Sequence, residues 1–304
     1  MGVSGILNLD KPPGWTSFQV VSLVRRGSGA RKVGHAGTLD PQATGVLLVC
    51  LGQAVRVSEY LMELPKVYRA VIHLGLATDT YDAEGRPVFE GDVSNLDVEA
   101  VTVVLDDLQG ESEQTPPKFS AVKVGGRPAY QLARAGKTVA LRPRSVRIDR
   151  IDLLGFQLPT VEIEVECGKG TYIRSLAHEL GQRLGCGAHL RSLVRLRVGP
   201  FSLDKAIPLV ELQTALADGS WTGRLLPMDT ALEHLPAATL DRKSESDVCQ
   251  GRPLPAELPE LAGLPRGPAQ RCRAYGGDGL FLALLRYESR TSLWRPEKVF
   301  TSRP

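Results

Sequence analysis

One carboxylate, Asp40, is placed as a group meant for chemistry. It lies in Gly34-His35-Ala36-Gly37-Thr38-Leu39-Asp40-Pro41-Gln42-Ala43-Thr44-Gly45. Three glycines and a proline in twelve residues argue against regular secondary structure and predict a structured loop. A carboxylate followed by Pro and surrounded by Gly is held on a rigid backbone of unusual shape. Asp before Pro is also a frequent turn starter, and local chemistry leaves both roles open.

Other reactive patterns are incomplete. His178-Glu179 begins a two-histidine zinc frame, but Gln182 stands where the second histidine belongs. Gly168-Lys169-Gly170-Thr171 resembles a phosphate loop, but Ile163 occupies the place of its first glycine. No Gly-x-Ser-x-Gly elbow falls at a strand-to-helix turn. The five cysteines, Cys50, Cys167, Cys186, Cys249 and Cys272, form no C-x2-C pair. An odd number without such a pair argues against a disulfide framework or zinc site and fits a reducing, cytoplasmic setting.

The elements that must position Asp40 can be read from periodicity. A strand at Gly5–Leu9 precedes a rigid turn at Lys11-Pro12-Pro13-Gly14, and Ser17 can cap a helix carrying Val20, Val21 and Val24. After the Asp40 loop, Val46–Leu51 reads as a buried strand and residues 53–64 as a helix. Tyr68, Ala70, Ile72 and Leu74 alternate on one face of a strand at 67–76. Residues 79–91 read as a hairpin turning at Glu84-Gly85, and 94–108 as a helix. Val161, Ile163, Val165 and Cys167 alternate with Glu162, Glu164 and Glu166, a strand with one wet face. Thr171 can cap a helix whose apolar face is Ile173, Leu176, Ala177, Leu180 and Leu184, with Gly185 as its stop.

Strands and helices are mixed without a βαβ repeat, which predicts an α+β fold with a mixed, largely antiparallel sheet flanked by helices. From about residue 235 the texture changes to prolines between short apolar pieces. Residues 236–304 read as a small β-rich domain, with strands at Gly279–Leu285 and Val299–Phe300, after a domain at 1–235. The chain has 304 residues, enough for two domains with sizeable cores. Net charge is only +3, but it is unevenly spread. Residues 118–150 hold nine Lys or Arg against Asp149; residues 79–113 hold eleven acids against Arg86. One segment can face a polyanion while the other repels it, or both are solvated faces. Met1 to Asp10 shows no basic segment followed by an apolar stretch, so no signal segment is expected, and the apolar run Val46–Leu51 is far too short to span a bilayer.

Gly34-His35-x-Gly37-x-Leu39-Asp40-Pro41-x-Ala43-x-Gly45-x-Leu47 resembles the catalytic loop of TruB-family pseudouridine synthases. Three further motifs agree in order. They are Lys11-Pro12-x-Gly14-x-Thr16-Ser17, then Tyr68-Arg69, then Gly168-x-Gly170-Thr171-Tyr172-Ile173-Arg174 with Leu180-Gly181 and Cys186-Gly187-Ala188-His189-Leu190. The resemblance covers residues 4–200, and residues 240–304 look like the PUA-type RNA-binding domain that often follows.

The resemblance implies a pseudouridine synthase fold and a tRNA pseudouridine synthase, an isomerase. It would flip out the uridine at position 55 of the tRNA T-loop, break its glycosidic C–N bond and form a C–C bond. No atom is added and no redox step occurs, so no cofactor and no metal are expected. Asp40 would be the catalytic carboxylate, Arg174 its ion partner, and Tyr68 a ring that stacks on uracil and takes part in proton removal at C5. Tyr172 and Leu193 would wall the pocket, His35 would fill the gap left by the flipped nucleotide, and Lys11 and Pro12 would buttress from behind. Lys118, Lys123, Arg127, Arg134, Lys137, Arg142 and Arg144, with Tyr130 among them, suit phosphate contacts. The expected partner is the T-arm stem-loop, with no membrane, no obligate protein partner and a monomeric chain. Two other readings stay open: a non-catalytic RNA-binding or RNA-folding module, and the same chemistry guided by an RNA and partner proteins.

Overall fold

The computed structural model describes residues 3–120, 122–135 and 141–300. Lys137 lies outside the described residues, as do the side chains of Lys123, Tyr130 and Arg134. The first unit holds strands β1 (Gly5–Lys11), β2 (Val33–His35), β3 (Thr44–Leu51), β4 (Lys66–Leu74), β5 (Leu76–Thr78), β6 (Pro87–Glu90) and β7 (Gly110–Gln114). It continues with β8 (Lys123–Val124), β9 (Arg127–Pro128), β10 (Arg144–Gln157), β11 (Thr160–Cys167), β12 (Ala188–Val198), β13 (Phe201–Ser202) and β14 (Ile207–Pro208). Its helices are α1 (Ser17–Ser28), α2 (Ser58–Glu63), α3 (Val98–Asp107), α4 (Ala129–Arg134), α5 (Ile173–Arg183) and α6 (Leu209–Asp218).

A ten-stranded mixed sheet runs β14-β1-β3-β12-β4-β11-β10-β7 among the described residues, with β2 on β3 and β13 on β12. Only β1–β14 and β3–β12 pair in parallel in it. The α+β expectation is met. On one sheet face Leu7, Leu9, Leu47, Ile72 and Ile163 share a core with Val20 and Val24 of α1 and Leu176 and Leu180 of α5. Several of these are fully buried, and each removes apolar surface worth about 1.5–3 kcal/mol from water.

Three local expectations are corrected. The α1 N-cap is Thr16, in a capping box with Gln19, which frees Ser17 for another duty described below. Tyr172 caps α5 without a side-chain bond, because the Thr171 hydroxyl donates to the Gly168 carbonyl instead. Residues 53–64 form not one α-helix but a 3-10 turn, Gly52–Val57, leading into α2.

Strand β12 departs from strict alternation. Leu190 pairs with Ile72 and Ser192 with Val71, so one extra residue is inserted at a bulge. Below it Leu193 pairs with Ala70 and Arg195 with Tyr68. Ile72, Ala70 and Tyr68 share one face of β4, so the bulge turns Leu193 and Arg195 onto the core face with Leu190.

The chain divides after Leu225, ten residues before the expected boundary. The 3-10 turn Met228–Leu232 belongs to the second unit: the Tyr275 hydroxyl donates to Asp229 and Arg273 donates to the Leu235 carbonyl. That unit contains β15 (Ala237–Thr239), α7 (Arg242–Cys249), β16 (Leu254–Pro255), β17 (Arg271–Tyr275), β18 (Phe281–Glu288) and β19 (Leu293–Val299). Its sheet runs β15-β17-β18-β19-β16 around a core that includes Trp294, Leu285 and Leu282.

Candidate active site

The loop between β2 and β3 that carries Asp40 is fixed at nearly every residue. The Ser17 hydroxyl accepts from the Leu39 N–H and donates to the Leu39 carbonyl, each at 3.0 Å. Lys11, fully buried, donates from its ammonium to the carbonyls of Pro12, Trp15 and Pro41 at 2.8–3.0 Å. Gly14 N–H also donates to the Pro41 carbonyl. Arg195, 1% exposed, donates to the carbonyls of Gly37, Thr38 and Val46, on both flanks of Asp40. Gly45 adopts φ +94°, and a Cβ there would stand 2.3 Å from the Arg195 carbonyl oxygen. Only glycine fits this close crossing.

Asp40 meets Arg174, which enters from the first turn of α5. Arg174 Nε lies 3.0 Å from Asp40 Oδ2, and Nη2 donates to Oδ1 at 3.2 Å, a bidentate pair. The other edge of the guanidinium donates to Asp82 Oδ2 at 3.2 Å, and Nη2 also donates to the Phe119 carbonyl at 2.9 Å. A cation in the first turn of a helix opposes the helix dipole, and two carboxylates offset that cost here. Asp82 is set in turn by the Thr80 hydroxyl, which donates at 2.5 Å, and by the Glu84 N–H. Beside it Tyr81 holds φ 64°, a strained value for a side-chain-bearing residue, with its ring stacked on His178 at 3.9 Å.

These groups open into a cavity of about 360 Å³ lined by Asp40, Asp82, Arg174, Leu190, Arg191 and Leu193 among others. That size suits a small-molecule or base-sized ligand. A larger cavity near Ser28, Arg31 and Gln53 holds none of these residues. The Asp40 side chain is 44% exposed, so a ligand can reach it. Even so, desolvation raises its carboxyl above the ordinary value; Arg174 opposes the rise, Asp82 and Glu84 add to it, and Lys11 opposes it. Burial lowers the Lys11 ammonium to about 8, with Asp40 the chief opposing influence.

The other expected residues lie around this centre at different depths. Leu193 lines the cavity with Leu190. Tyr68 is 9% exposed within the core and does not line it; burial raises its phenol, and Arg195 is the chief opposing influence. Tyr172 adjoins Arg174 at the α5 N-cap, held by its N–H to Gln114 at 2.7 Å, and its phenol is raised by burial. His35 stands on β2, half-buried, with Nδ1 lacking a partner among the described residues; burial and then Arg195 lower its pKa. Among the described residues no cluster of His, Cys, Asp and Glu is arranged to hold a metal ion.

Comparison with known proteins decides the family. Residues 25–173 match the model of the TruB family pseudouridylate synthase N-terminal domain, and 174–233 match that of the tRNA pseudouridylate synthase B C-terminal domain. The chain belongs to the TruB family of pseudouridine synthases. As such it is an isomerase. A relative from Dehalococcoides mccartyi, named tRNA pseudouridine synthase B, is 44% identical over 99% of this chain and 97% of its own. One of the same name from Symbiobacterium thermophilum is 48% identical over 82% of each chain. Among solved structures, a Cbf5-Nop10-Gar1 complex aligns at TM-score 0.76 and 30% identity, covering 98% of this chain and 85% of that one. An H/ACA RNP bound to a substrate RNA containing 2'-deoxyuridine aligns at 0.74 and 29%, covering 98% and 85%.

For this TruB-family chain, sequence reasoning missed Asp82, Arg195 and Gln114. Asp82 lay hidden in a run of acids that reads as a solvated face. The signal for Arg195 was weak: Leu190, Leu193 and Arg195 share a face only if a residue is inserted, which alternation alone does not reveal. Nothing in the local sequence marks Gln114, whose role depends on β7 ending beside the start of α5.

Proposed function

We propose that the chain isomerises uridine to pseudouridine in tRNA, at position 55 of the T-loop, acting alone in the cytoplasm on a flipped-out base. The observation that carries this reading is the bidentate Asp40–Arg174 pair at the wall of an accessible, base-sized cavity. Asp40 acts as the ionised carboxylate that adds covalently and leaves as the glycosidic bond is broken and re-formed at carbon. Arg174 keeps it charged and oriented against the desolvation that favours its neutral form. Asp82 holds the far edge of Arg174. Leu190 and Leu193 offer the uracil an apolar wall, and extrusion of the base costs a few kcal/mol that these contacts and an inserted His35 offset. Tyr68 takes the C5 proton late in the reaction. The basic residues Arg142 and Arg144, with the second unit as a PUA-like RNA-binding domain, position a folded RNA through its phosphates.

A guided version of the same chemistry is favoured by one observation, the likeness to a chain solved in a complex with Nop10 and Gar1. The bacterial relatives, at higher identity over nearly the whole chain, favour stand-alone action. Incubating the purified chain with a bare T-arm hairpin separates the two. Stand-alone action yields pseudouridine at position 55 with nothing added, and none when that uridine is replaced by cytidine. A hairpin bound but unmodified would contradict it.

A further inference from the structure

Arg195 is an unusual buried charge. It is 1% exposed, and among the described residues its hydrogen bonds go to three carbonyls and to no carboxylate. A buried guanidinium without a counter-charge is costly, and carbonyl dipoles offset only part of that cost. Its cross-strand partner is Tyr68, directly opposite on β4. Cross-strand partners share a face with Cβ atoms close enough to interact. The guanidinium is near enough to the Tyr68 hydroxyl to oppose the rise that burial gives its phenol. The other titratable groups near the pair are Lys11, His35 and Lys66, each made less basic by Arg195, with Cys167 and Asp40 beside Tyr68. None but Asp40 is anionic at neutral pH, and Asp40 is already bound to Arg174. No anion therefore faces the guanidinium at rest, and the group opposite it that could supply one is the Tyr68 phenol, which burial keeps protonated.

We propose that Arg195 is a positioning residue for the last proton transfer, holding the Tyr68 oxygen as the base for C5 while it clamps both flanks of the Asp40 loop. The inference rests on the reading that Tyr68 takes that proton. In the step, Tyr68 first loses its phenol proton to solvent and the phenolate oxygen takes the proton from C5; the C5–H electron pair restores the C5=C6 double bond of the uracil while the C6=N1 pair passes to N1, which takes a proton from solvent. Tyr68 is left as the neutral phenol from which the step began. Arg195 stabilises the anionic oxygen before transfer and stays protonated throughout.

The test is single-turnover tritium release from a C5-tritiated T-arm hairpin, followed against pH. It uses the whole chain, Arg195→Lys, and each of these with fluorotyrosine, a more acidic phenol, at position 68. Arg195→Lys is expected to slow release by about 10²-fold at neutral pH, to move the rising limb to higher pH, and to leave RNA affinity unchanged. Fluorotyrosine is expected to move the limb down in both backgrounds and to recover most of the lost rate. Arg195→Gln keeps a donor for the carbonyls without the charge, and serves if the lysine chain does not fold. A limb unmoved by fluorotyrosine beside wild-type Arg195 removes Tyr68 as the base and overturns the proposal with it. A moved limb there, with the Arg195 variants slow but not rescued, overturns the role of Arg195 alone and reduces it to scaffolding.

Discussion

The surroundings of Asp40 disfavour its charged form. Its folded pKa lies above the unfolded value of 3.8, chiefly through desolvation. Between those two values the folded chain binds more protons than the unfolded one, so this group's contribution to stability falls as pH rises through that window. Asp40→Asn removes the penalty and is expected to leave the melting temperature at pH 7 equal or higher, by calorimetry, while turnover is lost. A clear drop in melting temperature would show that the ion pair stabilises the fold after all. For activity, the proposed mechanism adds a second limb below the one set by Tyr68, where the rate falls further as pH drops through the raised Asp40 pKa, because it needs the carboxylate. Arg174→Ala withdraws the largest influence opposing that rise, so this lower limb of the rate profile should move to higher pH. The rate itself should drop by about 10²–10³. An unmoved limb would deny the pairing any electrostatic role. At this scale the sequence was half legible. Asp40, Arg174 and Leu193 were readable from motifs and meet at one cavity. Asp82 was not, because its direction depends on the positive φ of Tyr81 and on a single bridge to Leu190.

The elements act as a frame around one loop. Strand β1 supplies Lys11, α1 supplies Ser17, and β12 supplies Arg195, and all three bond the backbone of residues 37–46. Such redundancy holds the carboxylate without relying on its own conformational preference. Gly45→Ala tests the frame. A Cβ there meets the backbone of Arg195 at 2.3 Å and carries the cost of φ +94°. Urea unfolding should show a loss of at least about 2 kcal/mol, with slower turnover in the remaining folded protein. A loss below about 0.5 kcal/mol would mean that the crossing relaxes freely. Periodicity revealed β4, β11 and α5, because each has one wet and one dry face. It missed the β12 bulge, since an inserted residue leaves composition intact and changes only which side chains face the core.

Across the whole chain, two units with separate cores divide after Leu225. The residues of the proposed chemistry all lie in the first. A chain ending at residue 225 is therefore expected to fold and to release tritium at saturating RNA at a rate within a few fold of the full chain. RNA affinity at physiological salt should weaken at least tenfold, with a shallower salt dependence, since phosphate contacts are lost. Unchanged affinity by filter binding would remove the second unit from RNA recognition. The change of texture near residue 235 falls ten residues after the point where the structure divides. The true division was hidden because Asp229 and the backbone at 233–235 are claimed by Tyr275 and Arg273, about forty residues later. No helix of the described residues is long and apolar enough to cross a membrane.

The central claim is that Asp40 carries out uridine isomerisation without help. Tritium release from a C5-tritiated T-arm hairpin by the purified chain, set beside Asp40→Ala with no cofactor added, tests it most directly. Release by the wild-type chain and none by the variant, at equal RNA affinity, is the predicted result. Equal release by both, or none by either despite tight binding, would contradict it.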